Sequence, residues 1–366
     1  MTKNQDSHGG RVSMKDLAQR LNTSVCTISK ALHNKPKVSE KMRAKVLALA
    51  TELGYAPNIL ARSMAQHTLK VALVHPVVWP SYNQTLINGV IKRAEELRDF
   101  HISIKAFPYK DFSNNSACSD ALNRAASENT DAIILISALN KDNSGTLSSV
   151  AANISQPIVL LAGGHQPDAK ILCLVCQHSA DCGAIAANLA QLLLPQGGLA
   201  ATIIGLADIR DHRLKIEGFK SVLATGNVRF AGYAESFDEP DKAYNAAEQL
   251  FTQHPAISLL YVGTENISGV LDYLHEHNLL SKVKVIATGT SAPVNQGLAD
   301  GSILFAIDEH PMRQGEMAMD AIFQKLILNQ TPPASIMVPP GIRIKQMLST
   351  EGKQQVGSEA NRLPWG

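Results

Sequence analysis

"VSMKDLAQRLNTSVCTISKAL", Val12 to Leu32, decides how the chain begins. Met14, Leu17, Ala18 and Leu21 recur at three- and four-residue intervals, the spacing of one helical face. Ser13 stands where an N-cap hydroxyl is wanted, and Asp16 at the third helical position suits the helix dipole. "NTS", Asn22 to Ser24, is a tight connection whose hydroxyls can cap a second helix, on which Val25, Ile28 and Leu32 take the inward spacing. Ser39 caps a third helix that runs to "ELGY", where Gly54 is a suitable stop. The expectation is three short helices rimmed by cations, among them Arg11, Lys15, Arg20 and Lys30.

Working outward, the 366-residue chain is 45% hydrophobic and 18% charged, an ordinary globular composition with room for two or three domains. No run of about 18 apolar residues is present, so no membrane span is expected. "MTKNQDSHGG" has no apolar signal region, and a cytoplasmic location is expected. Five cysteines, an odd number in a long chain, point to reduced thiols. Charge is unevenly spread. Residues 1–70 hold 12 Lys and Arg against 4 Asp and Glu, a net of +8, while the remainder holds 22 against 28, a net of −6. A basic head on a mildly acidic body suggests that the head meets a polyanion, against the plainer reading of a solvated basic face.

From Lys70 the pattern changes. "KVALVHP", "HISIKAF", "DAIILIS", "PIVLLAG", "ILCLV", "LAATIIG", "RFAGYAE", "ISLLYVG", "VKVIATG" and "SILFAID" are short β-branched runs. Helical patterns over 84–98, 117–129, 183–194, 213–224, 240–253 and 266–277 separate most of them. Such alternation predicts parallel sheet covered by helices. Ten strands are too many for one comfortable sheet of this kind, which predicts two similar α/β lobes. The expected layout is an unstructured 1–11, an all-α head over 12–56, a linker over 57–69, a two-lobed α/β body over 70–349 and an unstructured tail over 350–366.

Helix, tight turn and second helix at the front of a basic domain form the helix-turn-helix plan. The second helix would enter the major groove of duplex DNA. Ser13, Ser24, Thr27 and Ser29 are placed for phosphates; Val25, Cys26 and Lys30 are the candidates for base edges, with His33 just beyond. A small helical bundle that binds protein is the alternative.

Residues Val12–Ala65, with "TSVCTISKAL", "VSEKMRAKV", "ELGYAPN" and "ARSM" in ungapped register, resemble the head and hinge of the LacI/GalR family of bacterial transcription regulators. "DHRLKIEGF" (211–219), "YVGTENISGV" (261–270), "LADGSILFAID" (298–308) and "HPMRQGEMAMDAI" resemble that family's effector-binding body, which is similar to periplasmic sugar-binding proteins. The resemblance implies a repressor that acts as a homodimer on a pseudo-palindromic operator. It also implies a hinge helix over 58–66 in the minor groove, with Asn58 and Arg62 near the backbone and Met64 as the apolar wedge, where the family usually has Leu. Lys30 stands where the family usually has Arg.

A two-lobed body of this plan binds its ligand in the cleft, at the carboxyl ends of the strands. His75, Trp79 and Tyr82 follow the first strand. The resemblance assigns a ligand-contacting cation to Lys215, with Arg213 nearby, and a polar contact to Asn266. Gly289 replaces a common Asp, Glu309 a common Gln, and His178 a common Asp at the lobe crossover. With acceptors of the usual sugar cage missing, an anionic ligand such as a sugar acid or phosphorylated sugar is expected, beside a neutral sugar or polyol. Cys173, Cys176, His178 and Cys182 fall within ten residues; the thiols are read as buried core rather than as a metal or redox site. No nucleophile–base set or GxGxxG loop stands out, so neither catalysis nor a cofactor is expected. A solute-binding protein without a regulatory role is the alternative; the missing signal segment and the basic head count against it.

Overall fold

The computed structural model describes residues 12, 14–32, 36–53, 68–77, 80–110, 115–137, 149–163 and 170–348. Ser13, His33, Gly54, Asn58, Arg62, Met64 and Trp79 lie outside them. The chain falls into two compact units, one ending at His67 and one that begins at Thr68 and contains both sheets.

The first unit holds α1 (Met14–Arg20), α2 (Val25–Leu32) and α3 (Glu40–Glu52). Asn22 turns the chain between α1 and α2 with φ 47, a left-handed conformation that Asn tolerates better than most residues. The amide of Thr27 donates to Ser24 Oγ at 3.1 Å, which caps α2 as the sequence suggested. Ser39 caps α3 by accepting from the Met42 amide at 3.3 Å. Leu17, Ile28 and Val46 are fully buried, one from each helix, with Ala18, Ala31 and Ala50 between them. Each of the three larger side chains contributes about 1.5–3 kcal/mol by leaving water. Val25, placed inward by its spacing, is instead 43% exposed. Its position in the first turn carries it past the edge of the small core, and Ala31 packs there instead.

The second unit holds two six-stranded sheets. The first contains β1 (Leu69–Pro76), β2 (Ile102–Tyr109), β3 (Ala132–Ile136), β4 (Ile158–Leu161), β5 (Cys173–Gln177) and β11 (Ser335–Val338), in the order β11-β5-β4-β3-β1-β2. The second contains β6 (Gly198–Ile204), β7 (Val228–Glu235), β8 (Ile257–Val262), β9 (Lys284–Thr288), β10 (Phe305–Asp308) and β12 (Gly341–Arg343), in the order β12-β10-β9-β8-β6-β7. All pairings are parallel except β10 with β12. Each sheet thus repeats the doubly wound order 2-1-3-4-5, so the expected likeness of the lobes is present. β3, "AIILI", is buried at every residue, as a strand covered on both faces must be.

The body helices are α4 (Pro80–Glu96), α5 (Asn115–Ser127), α6 (Ser179–Leu193), α7 (Arg210–Leu223), α8 (Pro240–Gln253), α9 (Ser268–Glu276), α10 (Ala292–Asp300) and α11 (Pro311–Leu326). Six match the expected patterns: α4 to α7 start two to four residues earlier, α8 at the same residue and α9 two residues later; α10 and α11 are not among them. The strands β11 and β12 were also unread. The chain passes between the lobes three times: from β5 to α6, from β10 to α11, and from β11 to β12. Accordingly α6 packs on α7 of the second lobe, and α11 packs on α4, β4 and β5 of the first. The α6–α7 contact is close enough to demand glycine. A Cβ on Gly218 would lie 2.0 Å from the Ala180 carbonyl oxygen, and one on Gly183 would lie 2.0 Å from that of Lys215.

Candidate functional site: a carboxylate-lined cleft between the lobes

The carboxyl ends of the strands of both sheets open onto one cavity of about 360 Å³. Pro76, Ser81, Tyr82, Asn83 and Ser137 line it from the first lobe. Asp211, His212, Lys215, Asp238, Thr264, Glu265, Asn266 and Glu309 line it from the second, and Gln177 sits at the first crossing. The volume lies within the ~300–1,000 Å³ usual for small-molecule sites, and the position at strand ends follows from the doubly wound plan.

Lys215 and Glu309 form the innermost pair. Both are almost fully buried, and Lys215 Nζ lies 2.8 Å from Glu309 Oε1. The ammonium also donates to the Gly263 carbonyl at 3.0 Å. Burial alone would push the Lys215 pKa down, but Glu309 and the surrounding polar groups outweigh it and hold it above the usual value. Cys182 Sγ lies 3.8 Å from the same Glu309 oxygen, and burial raises its thiol pKa.

The remaining carboxylates are held by neutral donors. Ser179 Oγ, at the start of α6, donates to Asp211 Oδ1 at 3.1 Å. The Thr264 hydroxyl donates to Asp238 Oδ1, and Asn266 Nδ2 donates to the Asp238 carbonyl at 2.5 Å. Glu265 accepts the Thr290 amide at 3.2 Å and the Ser81 hydroxyl at 2.9 Å. The last bond spans the cleft, since Ser81 belongs to the first lobe. Burial raises the Glu265 pKa, against the lowering effect of these two donors. His212 Nδ1 lies 2.9 Å from the Leu206 amide nitrogen and 3.1 Å from the Leu206 carbonyl oxygen; burial lowers its pKa and favours the neutral ring.

Of the cleft residues named from the sequence and described here, Tyr82, Lys215, Asn266 and Glu309 line the cavity, whereas His75, His178 and Arg213 do not. His75 lies next to the lining residue Pro76 on β1, where successive side chains alternate faces; its Nδ1 is 3.2 Å from the Pro76 carbonyl. His178 is half-buried, its Nδ1 3.0 Å from Asp181 Oδ2. On α7, Asp211 and Lys215 are four residues apart and share the cleft face, while Arg213 lies off that face and donates to the Ala207 carbonyl at 3.2 Å. Tyr82 donates to Gln177 Oε1 at 3.2 Å.

The expected shortage of acceptors is corrected. Asp211, Asp238 and Glu265 supply carboxylates that the sequence reading passed over. Gly289, taken as a missing acceptor, has φ +92 and makes room for one: a Cβ there would lie 2.3 Å from Glu265 Cγ and Oε1. Cys173, Cys176 and Cys182 are buried, as expected for core thiols; burial raises their pKa values, to about 11 for Cys173 and about 12 for Cys176.

In the head, Ser24, Val25 and Cys26 are exposed, and Thr27, Ser29 and Lys30 are half-buried. The Ser24 and Thr27 hydroxyls lie 2.9 Å apart.

Two doubly wound lobes with a polar cavity at their strand ends define a cleft-type small-molecule-binding protein, to which the three-helix head is an addition. Residues 71–330 match the periplasmic binding protein domain, and residues 13–58 match the bacterial regulatory proteins of the lacI family. The chain therefore belongs, over most of its length, to the periplasmic binding protein domain family, and it carries a head that matches the bacterial regulatory proteins of the lacI family. It is 26% identical to an HTH-type transcriptional regulator of Lachnoclostridium phytofermentans over 57% of its length and 61% of that relative's. It is 43% identical to the probable HTH-type transcriptional repressor ExuR of Bacillus subtilis over 16% of its length, so that match covers 18% of ExuR. With the HTH-type transcriptional regulator MalR of Streptococcus pneumoniae it shares 23% identity over 86% of this chain and 92% of MalR. Among solved structures, a periplasmic solute-binding protein from Actinobacillus succinogenes with bound D-allose superposes with a TM-score of 0.70 at 16% identity, covering 77% of this chain and 99% of that one.

Proposed function

We propose that this regulator represses transcription as a homodimer on a pseudo-palindromic operator in the cytoplasm, and that a small effector held between the lobes sets its operator affinity. The observation that carries the reading is the union, in one chain, of a lacI-type head with an exposed α2 start and a binding-protein body with a polar cleft. In this reading Ser13, Ser24, Thr27 and Ser29 meet phosphates; Val25, Cys26, Lys30 and His33 meet bases; and Asn58, Arg62 and Met64 serve the minor groove. The basic head favours such contacts. A transport role for the body alone leaves the head without a purpose.

The effector reading changes with the geometry. Four carboxylates against one cation, already paired, disfavour an anion. They favour a hydroxylated ligand whose protons the carboxylates accept, and the likeness to a fold that holds D-allose supports a sugar-type molecule. Tyr82, Asp211, Lys215, Asp238, Glu265, Asn266 and Glu309 are its proposed contacts.

Selection of duplex sequences from a random pool tests the DNA reading. The full chain enriches a two-fold-symmetric site, and affinity falls with salt at a log–log slope of about −0.9 per phosphate neutralised. Lys30→Ala and Cys26→Ala shift the preferred bases, whereas Ser29→Ala weakens all sequences alike. No enrichment, or salt-independent binding, contradicts it.

A further inference from the structure

We propose that the effector is a cation: a small hydroxylated molecule bearing an ammonium group, of the amino sugar or amino polyol class. The inference rests on the cleft being the effector site, and it concerns the charge of what fills it.

Four carboxylates line the cavity, and the lining cation is Lys215. At 2.8 Å, with both groups buried, Lys215 neutralises Glu309 and nothing more. Asp211, Asp238 and Glu265 remain. Their partners are the hydroxyls of Ser179, Thr264 and Ser81 and the amide of Thr290, which orient a carboxylate without cancelling its charge. Among the described residues, the second oxygens of Asp211 and Asp238 meet no hydrogen-bond donor. Neighbouring arginines do not supply the missing charge. Arg213 is committed to the Ala207 carbonyl, and neither it nor Arg210 lines the cavity. His212 is fully enclosed, and its burial favours the neutral ring.

The cleft thus holds three carboxylates beyond the Lys215–Glu309 pair in a partly closed space, where charges are weakly screened. An anionic ligand would add to that excess. A neutral sugar would satisfy hydrogen bonds and leave the charge standing. An ammonium offsets it, and three donors on one nitrogen match free carboxylate oxygens. Asn83, Gln177 and Ser291 around the same cavity suit the hydroxyls of such a molecule. Glu265 accepts hydrogen bonds from Ser81 and Thr290 and forms no ion pair with Lys215.

Calorimetry on the full chain decides the matter. D-glucosamine, D-galactosamine and D-mannosamine are compared with D-glucose, D-galactose and D-mannose, with the N-acetylated amines, and with D-glucuronate and D-galacturonate. At least one amine should bind at least tenfold more tightly than its neutral parent and its N-acetyl form, and its affinity should fall as pH rises through the amine pKa. Asp238→Asn and Asp211→Asn, two near-isosteric changes, should each weaken the amine at least tenfold, and by a larger factor than they weaken the neutral parent. A neutral sugar or a sugar acid that binds as tightly as the best amine overturns the proposal, as does a failure of all three amines to bind. If a neutral sugar wins and Lys215→Met weakens it, the cleft reading stands and only the charge falls. If an amine binds with the same affinity in both Asn variants, it sits elsewhere, and the cleft reading falls as well.

Discussion

Lys215 and Glu309 give up their hydration together, and each is tolerable in the interior because the other is 2.8 Å away. Glu309→Gln leaves a buried ammonium with the Gly263 carbonyl as its remaining strong partner. Denaturant unfolding of this variant should show a loss of about 3–5 kcal/mol, the usual cost of orphaning one member of a buried pair. Lys215→Met should cost a similar amount, and the double variant should recover part of the sum. Strict additivity would mean that the two groups do not compensate each other. These two residues are legible because each is fixed by a motif with a recognisable register, Lys215 within "DHRLKIEGF" and Glu309 directly after "SILFAID". Asp211 stands in the same motif, four residues before Lys215 and on the same helix face. Asp238 and Glu265 follow strand ends by three residues in "SFDEP" and "GTENIS", where spacing alone does not separate a cleft carboxylate from a solvated loop. Gly289 misled for a physical reason: an absent side chain was read as an absent acceptor, whereas the space is filled by Glu265 from a neighbouring loop.

At the scale of elements, periodicity found what long patterns can show. The ten β-branched runs all carry strands, and the caps at Ser24 and Ser39 form as their positions suggested. β11 and β12 escaped because they are four and three residues long, flank "PP", and owe their place to the sheets rather than to their own pattern. α11, "PMRQGEMAMDAIFQKL", owes its packing on α4 to close approach at Gly89 and Gly315. Close approach also holds α6 to α7, and Gly218 is its test. Gly218→Ala puts a methyl group 2.0 Å from the Ala180 carbonyl, backbone that cannot swing aside as a side chain would. The two helices must separate, at an overpacking cost of about 1–3 kcal/mol. Because Asp211 and Lys215 ride on α7 and Ser179 begins α6, ligand affinity should fall with stability. A melting temperature and ligand affinity equal to those of the unaltered chain would show that the contact carries no strain. Ala at exposed Leu192, on the outer side of α6, should change neither.

For the whole molecule, the decisive feature is that the chain crosses between its lobes three times and that Gln177 and Glu309 stand at two of those crossings while also lining the cleft. A ligand that touches Ser81 and Tyr82 on one side and Asp211, Asp238 and Glu265 on the other bridges the lobes through the same residues that join them. Any preference of the ligand for one lobe arrangement then biases that arrangement, and by reciprocity a partner that prefers one arrangement changes ligand affinity. An effect on DNA arises where the bound DNA also favours one lobe arrangement, and its direction follows from which arrangement that is. The most direct test is the affinity of the full chain for its selected duplex, measured by fluorescence anisotropy at fixed salt, without ligand and with a saturating cleft ligand identified by calorimetry. The account predicts a change of about 5- to 150-fold, in one direction, that disappears in a folded Asp211→Asn or Asp238→Asn variant that no longer binds the ligand. An operator affinity unchanged by saturating ligand would contradict it.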